Sequence, residues 1–185
     1  MLYTTYRPQT LSEVVGQTEN ILTLKKQIAQ NKFDSAYLFA GHRGTGKTSI
    51  ARILARAICC EAPTEDGPCN QCKSCRSILN NTAMDFVELD AASNNSVNDI
   101  KELINQTMYM PTNLKKKIYI IDEVHNLSAA AFDSLLKTLE EPPEHCIFIL
   151  CTTELHKIPA TIKSRCSIYQ FKTLPLSLIR ERLVF

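Results

Sequence analysis

The stretch GHRGTGKTS, residues Gly41–Ser49, decides how this chain folds. It matches the pattern G-x-x-x-x-G-K-[ST], follows the apolar run AYLFA directly, and leads into a segment whose apolar residues recur at helical spacing. Glycines let such a loop turn tightly, so that its N–H groups can surround phosphate oxygens, and a helix N-terminus adds positive charge. The sequence therefore predicts a strand, a phosphate-binding loop and a helix, in this order.

Two side chains of the loop have specific expected tasks. Lys47 is long enough to reach the β- and γ-phosphates of a nucleotide, and the Thr48 hydroxyl is a suitable ligand for Mg²⁺. The residues expected to contact the nucleotide are Gly41, His42, Arg43, Gly44, Thr45, Gly46, Lys47, Thr48 and Ser49.

Outward from the loop, short apolar runs alternate with helix-period segments, which is typical of an α/β sheet covered by helices. Most of the runs are apolar nearly throughout, as buried parallel strands are. The predicted strands are Ala36–Ala40, Asp85–Asp90, Lys117–Ile121, Cys146–Cys151 and Ser167–Phe171. The predicted fold class is thus α/β: a P-loop NTPase core with a five-stranded parallel sheet flanked by helices.

Several helices have recognisable starts. Ser96 with Asp99 and Ser128 are predicted N-terminal caps, and Thr18 is predicted to cap a helix ahead of the first strand. After Pro175, the final segment LPLSLIRERLVF reads as the start of another helix.

A carboxylate pair, Asp122 and Glu123, ends the apolar run IYII. Ligands of open α/β sheets bind at the carboxyl ends of strands, and alternation along a strand points adjacent side chains in different directions. Asp122 is therefore a candidate to hold Mg²⁺, and Glu123 a candidate to polarise the water that attacks the γ-phosphate. A helix-capping role is the alternative, which the phosphate loop makes less favourable.

A cysteine cluster interrupts this pattern. Cys69, Cys72 and Cys75 form two overlapping C-x-x-C units in polar surroundings, a spacing typical of a structural zinc site. Cys60 is the expected fourth ligand and Cys59 the competing one. Because no His or Glu stands at ligand spacing nearby, we expect a structural site. Cys146 and Cys151 lie in an apolar run and are predicted to be core residues.

Composition narrows the function classes. The net charge of +2 offers no overall attraction for a polyanion, and the sequence has neither a secretory signal nor a run of apolar residues long enough to span a membrane. Eight cysteines without a secretory signal indicate a reducing, cytoplasmic compartment. The cysteine region has only Lys73 and Arg76 as basic residues and lacks aromatic residues for stacking, so a zinc module that reads nucleic acid is a weaker hypothesis.

Taken in order, the motifs YRPQT, VVGQ, GHRGTGKTSIAR, CNQCKSC, ELDAASN, IYIIDEVHNLS, LLKTLEEPPEH, CTTE and IKSRC resemble the γ/τ family of clamp-loader ATPases of bacterial DNA polymerase III, which are AAA+ proteins. The resemblance runs from Tyr6 to about Phe171. It implies that Asp122 and Glu123 form the Walker B pair, that the Thr153 hydroxyl senses the γ-phosphate, and that Arg165 is an arginine finger for a neighbouring subunit. It further implies an adenine pocket lined by Arg7, Pro8, Val14 and Val15, and zinc ligands Cys60, Cys69, Cys72 and Cys75.

The resemblance also implies a division of the chain and a function. Residues 1–172 would form the AAA+ domain, with a zinc module at about 59–80, and residues 173–185 would begin a helical lid, so that the isolated fragment is expected to be monomeric. The cofactors would be ATP, Mg²⁺ and Zn²⁺. The implied function is an ATP-hydrolysing motor that loads a sliding clamp onto primed DNA, working with other clamp-loader subunits in a ring and with the replicative polymerase. The alternative is an ATP-gated structural subunit that does not hydrolyse ATP on its own.

Overall fold

The computed structural model describes residues 6–183, and its centre is a parallel sheet of five strands. The strands are β1 (Ala36–Gly41), β2 (Phe86–Asp90), β3 (Lys117–Asp122), β4 (Cys146–Thr152) and β5 (Ser167–Phe171). Their order across the sheet is β2-β3-β4-β1-β5, and every neighbouring pair is parallel. The predicted α/β architecture, a five-stranded parallel sheet flanked by helices, is confirmed, and so are all five predicted strands, each within one residue at either end.

Helices cover both faces of this sheet. They are α1 (Thr18–Gln30), α2 (Lys47–Cys59), α3 (Lys73–Leu79), α4 (Val97–Thr107), α5 (Ala129–Glu140), α6 (Ala160–Lys163) and α7 (Leu176–Leu183). Short 3₁₀ turns at Val124–Asn126 and Leu155–Lys157 follow β3 and β4. The helix predicted after Pro175 is present, although Val184 and Phe185 lie outside the described residues.

Alternation along the strands divides the core into two layers. Tyr37 and Phe39 of β1 pack with α1, α2 and α3 on one face of the sheet. Ala36 and Leu38 of the same strand pack with α4, α5 and α6 on the other face. The expectation that Cys146 and Cys151 are core residues is confirmed, because both are buried.

The strands differ in burial according to their position in the sheet. The central strands β1, β3 and β4 are buried along most of their length, as continuous apolar runs predict. Along the edge strands β2 and β5, exposed residues alternate with buried or half-buried ones, because one side of each strand has no neighbouring strand.

Two of the three predicted helix caps are confirmed. Ser96 and Asp99 form a reciprocal capping box at the start of α4, and the Ser128 side chain accepts a hydrogen bond from the Ala131 N–H at the start of α5. The prediction for Thr18 was wrong: Thr18 is already the first helical residue, and Gln17 precedes it in a left-handed conformation with φ of 56°.

Gln17 has a tertiary task instead of a capping task. Its side-chain amide donates to the Lys172 carbonyl at 2.7 Å, and its side-chain oxygen accepts from the Lys172 N–H at 3.1 Å. The segment ahead of α1 is thereby attached to the chain that leaves β5. None of the helices within residues 6–183 is both long and apolar enough to cross a membrane.

Candidate nucleotide and metal sites

The phosphate loop joins the end of β1 to the start of α2, as the sequence predicts. Gly44 and Gly46 have φ of 81° and 96°, a left-handed conformation that side chains disfavour. Gly41 approaches β5 so closely that an added Cβ would lie 2.5 Å from the Phe171 carbonyl oxygen. The three glycines of the motif are therefore required by backbone conformation or by space.

Lys47 and Thr48, the first residues of α2, point in two different directions from the loop. The Lys47 side chain is 6% exposed, and its Nζ donates to the carbonyls of Gly41 at 2.8 Å and His42 at 3.0 Å. The Thr48 hydroxyl donates to Asp122 Oδ2 at 2.7 Å. The loop after β1 and the carboxylate at the end of β3 thus meet, although β4 lies between the two strands.

The carboxylate pair is connected to Thr153, the residue after β4. Asp122 Oδ1 accepts from the Glu123 N–H at 3.0 Å, and Glu123 has the left-handed φ of 48°. Glu123 Oε2 accepts from the Thr153 hydroxyl at 2.9 Å and from the Thr153 N–H at 3.3 Å. The residues predicted as water-polarising base and γ-phosphate sensor therefore contact each other directly.

His125 belongs to the same network and was not singled out from the sequence. Its side chain is 8% exposed, and its Nδ1 lies 3.1 Å from the Thr152 hydroxyl and 3.3 Å from Glu123 Oε2. Its Nε2 lies 3.3 Å from Glu154 Oε1. The signal in the sequence was weak: a histidine two residues after the carboxylate pair, without a spacing that is specific for any chemistry.

A cavity of about 590 Å³ opens at this edge of the sheet. Its walls come from the phosphate loop and the start of α2, from the ends of β2 and β3, and from Arg7 near the N-terminus. Lys47, Thr48, Asp122 and Glu123 all line it. Asp90 at the end of β2 lines it as well, and the rule that ligands bind at strand ends would have identified this residue.

The residues expected at an adenine pocket are only partly at this cavity. Arg7 lines it, whereas Pro8, Val14 and Val15 are not among the described residues that do. Val14 is half-buried and packs against the core layer beside α2.

Arg165 lies at the opposite edge of the sheet. It lies two residues before β5, whose first residue, Ser167, pairs with Tyr37, whereas the last residue, Phe171, pairs with Gly41. Four residue steps along β5, or about 13 Å, therefore separate Ser167, two residues after Arg165, from the level at which the phosphate loop begins. Its guanidinium contacts Glu140 Oε1 at 2.6 Å and the Thr161 carbonyl at 2.8 Å. The structure does not bring Arg165 to the cavity of its own chain.

The four predicted zinc ligands form a compact cluster. The Sγ atoms of Cys60, Cys69, Cys72 and Cys75 all lie within 4.8 Å of one another, a donor set that fits a tetrahedral zinc ion. The Sγ atoms of Cys60, Cys69 and Cys72 accept hydrogen bonds, each at 3.4 Å, from the backbone N–H groups of Cys69, Cys72 and Cys75, respectively. Backbone N–H groups of Gln71 and Cys72 lower the pKa of the Cys69 thiol to about 6, whereas burial raises the pKa of Cys75.

Cys59 stands apart from this cluster. Its Sγ donates to the Lys116 carbonyl at 3.6 Å, on the side of α2 that packs against the sheet, and burial raises its pKa to about 12. The structure therefore places Cys60, rather than Cys59, with the three cysteines of the C-x-x-C units.

Comparisons with known proteins bear on the family to which the chain belongs. A family model described as DNA polymerase III, delta subunit, matches residues 16–175. DNA polymerase III subunit tau of Bacillus subtilis is 52% identical over 182 residues, which cover 98% of this chain and 32% of that protein. The tau subunit of Escherichia coli is 46% identical over 178 residues, which cover 96% of this chain and 28% of that protein. The chain therefore spans about a third of the length of these curated relatives.

Solved structures show the same fold at low sequence identity. A gamma-subunit-related protein of DNA polymerase III from Thermotoga maritima superposes with a TM-score of 0.64 and is 23% identical, covering 87% of this chain and 48% of that one. RuvB from Thermotoga maritima, a Holliday junction branch migration motor, gives a TM-score of 0.65 at 20% identity, covering 96% of this chain and 52% of that one. The chain belongs to the family described as DNA polymerase III, delta subunit, and over nearly its whole length it resembles curated tau and gamma subunits of that polymerase.

Proposed function

We propose that the chain binds ATP with Mg²⁺ in the cavity of about 590 Å³ and hydrolyses it as a motor subunit of the DNA polymerase III clamp loader. One observation carries this proposal above the others: Thr48 contacts Asp122 at 2.7 Å while Lys47 and Glu123 line the same cavity. These are the side chains that phosphoryl transfer requires, collected at the carboxyl edge of a parallel sheet.

Each of these residues has a distinct role in the proposal. Lys47 neutralises the β- and γ-phosphates after exchanging its contacts with the Gly41 and His42 carbonyls for phosphate oxygens. Thr48 and Asp122 hold Mg²⁺, which when bound neutralises charge on the phosphates. Glu123 orients and polarises the attacking water.

Thr153 and His125 support the last of these steps. Both contact Glu123 Oε2, at 2.9 Å from the Thr153 hydroxyl and at 3.3 Å from His125 Nδ1. Held from two sides, the carboxylate keeps one orientation toward the cavity. Because the Thr153 hydroxyl contacts Glu123, it is also placed to change its hydrogen bond when a γ-phosphate is present.

Arg165 acts on a neighbouring subunit in this proposal. Because it lies at the far edge of the sheet from its own phosphate loop, it cannot serve its own cavity without a large rearrangement. A finger that completes a site only across an interface makes hydrolysis depend on assembly. The partners of this motor are the other clamp-loader subunits, the sliding clamp, primed DNA and the replicative polymerase, and a role in replication implies a cytoplasmic location.

Zinc has a structural role in the proposal. Cys60, Cys69, Cys72 and Cys75 hold the ion, which when bound cross-links the turn after α2 to the start of α3. The AAA+ domain extends over residues 1–172 with the zinc module at about 59–80, and residues 173–185 begin the lid.

The decisive experiment replaces Glu123 by glutamine in the assembled clamp loader. We expect ATP binding to remain and hydrolysis to be abolished, since the amide keeps the size of the side chain but cannot act as a base. Glu102→Gln, a change at an exposed carboxylate on α4, is the matched control and should leave both unchanged. Turnover that survives in the Glu123 variant would show that another group polarises the water.

An ATP-gated structural subunit without hydrolysis of its own is the second candidate. The position of Arg165 favours it for the chain alone, because this arginine does not reach the cavity of its own chain. Single-turnover hydrolysis, measured on the chain alone and with clamp and partner subunits, separates the two. The motor hypothesis expects hydrolysis in the assembly, and its absence there would favour the structural subunit.

A further inference from the structure

Residues 7–11, here called the N-terminal strap, lie between the nucleotide cavity and the cysteine cluster. The backbone of the strap is attached to the cysteine insertion (residues 60–75) at two points. The Leu11 N–H donates to the Asp66 carbonyl at 2.9 Å, and the Gln9 carbonyl accepts from Asn70 Nδ2 at 3.1 Å. The Leu11 side chain is 1% exposed and lies next to Gly67 of the insertion. The strap thus rests on the insertion with its backbone as well as with a buried side chain.

Arg56 joins α2 to the same attachment point. It is 4% exposed, its Nη2 donates to the Gln9 carbonyl at 3.0 Å, and its Nε donates to Asn70 Oδ1 at 3.1 Å. Gln9, Arg56 and Asn70 therefore form a closed triangle of hydrogen bonds. Such a network holds three separate segments of backbone in one geometry.

The cysteine cluster determines where Asn70 lies. Asn70 stands between the ligand candidates Cys69 and Cys72, in a left-handed conformation with φ of 57°. Closing four thiols around one ion would fix this turn, and with it the direction of the Asn70 amide. Two residues before Gln9, Arg7 lines the nucleotide cavity together with Lys47.

We propose that the cysteine insertion is the platform that holds the N-terminal strap, so that Asn70 and Arg56 are positioning residues that place Arg7 at the nucleotide cavity. This inference rests on the proposed ATP site. It assigns the insertion a task within its own chain: loading the cysteine cluster with zinc strengthens nucleotide binding through the strap, without any contact between zinc and nucleotide.

The test replaces Asn70 by glycine. Glycine adopts the left-handed conformation easily, so the C-x-x-C turn and its zinc should be retained while both side-chain hydrogen bonds are lost. We expect unchanged zinc content by metal analysis, faster hydrogen exchange of the Leu11 amide, and ATP binding weakened by about three- to tenfold. Asn31→Gly is the matched control, since Asn31 is also left-handed at φ of 48° but caps α1 far from the strap.

Two further variants sharpen the result. In an Arg7→Ala background, Asn70→Gly should weaken ATP binding no further, because the effect passes through Arg7. Asn70→Asp keeps the oxygen that accepts from Arg56 but loses the amide that donates to the Gln9 carbonyl. It therefore tests the contact between residue 70 and Gln9 alone, and it serves as the test if the glycine variant does not fold. It should also speed exchange at Leu11 and weaken ATP binding.

The outcomes separate this inference from the proposed function. An unaltered protein that does not bind ATP would refute the proposed function and this inference with it. ATP binding that neither Asn70 variant weakens, despite faster exchange at Leu11, would refute the inference alone. Leu11 exchange that is unchanged in both variants would refute the platform itself.

Discussion

Replacing Asp85 by alanine should lower the free energy of unfolding by about 2–4 kcal/mol. Asp85 directly precedes β2 and is 3% exposed. Its Oδ2 accepts hydrogen bonds from the N–H groups of Thr112, Asn113 and Leu114 at 2.9, 2.7 and 3.0 Å. One carboxylate therefore holds the turn that leads into β3, the strand that ends in Asp122.

The magnitude follows from how well water can replace the carboxylate. Leu114 is buried, so its N–H would lose its partner in full, at a cost of about 1–3 kcal/mol. Thr112 and Asn113 are exposed, so water can accept hydrogen bonds from their N–H groups in place of the carboxylate. The loss of each of these two hydrogen bonds should therefore cost only about 0.5 kcal/mol. For a chain of this size the sum corresponds to a decrease in Tm of about 5–15 °C.

Acid should weaken the same interaction. Burial opposes ionisation of Asp85, but the N–H groups of Asn113, Thr112 and Leu114 outweigh it and lower the pKa below its usual value. Because the folded pKa lies below the unfolded one, the stabilisation is complete above about pH 4 and is lost as the pH falls through the folded pKa. Asp85→Asn should therefore lose less stability than the unaltered chain when the pH is lowered over this range.

Urea unfolding followed by circular dichroism, at neutral pH and at about pH 3.5, measures both effects. Asp133→Ala is the control, since Asp133 is an exposed carboxylate on α5 and should change stability little. A loss of less than about 0.5 kcal/mol for Asp85→Ala would show that the three hydrogen bonds do not stabilise the fold as argued.

Three further predictions address the cysteine cluster, a helix cap and the contacts of Glu123. Cys60→Ser should lose zinc while Cys59→Ser retains it, measured by metal analysis, because only Cys60 has its thiol in the cluster; equal zinc content in the two variants would contradict this assignment. Ser96→Ala should cost about 1 kcal/mol in urea unfolding by removing half of the capping box of α4, with an unchanged m-value. His125→Asn should lower kcat for ATP hydrolysis by about tenfold with little change in KM, since the shorter side chain no longer reaches Glu123; a change in KM alone would argue for a role in binding.

Much of the fold could be predicted because its signals are local. Apolar runs mark strands at any position in the chain, and the glycines of the phosphate loop specify a backbone conformation that few other residues adopt. Asp122 could be placed at the edge of the sheet because parallel strands share one carboxyl edge. Ser96 and Ser128 could be identified as caps because capping involves residues only three apart.

The failures have more than one physical cause. Thr18 was predicted as a cap because its residue type suits that position, but Gln17 precedes the helix in a conformation that its contacts with Lys172 support, 155 residues away. The short helix α3 was missed because the turn at Cys72 sets its start. Helices were predicted from apolar periodicity, and a turn of this kind shows none. His125 was missed because its partners, Thr152 and Glu154, belong to a different strand and the turn after it.

By itself, the sequence determined which segments are strands, where the phosphate loop lies and which cysteines share a spacing, since each of these depends on neighbours along the chain. The tertiary structure alone decided that Thr48 meets Asp122, that Arg165 lies away from its own cavity, and that the strap rests on the cysteine insertion. These contacts depend on strand order and on packing between distant segments, and local chemistry does not specify either.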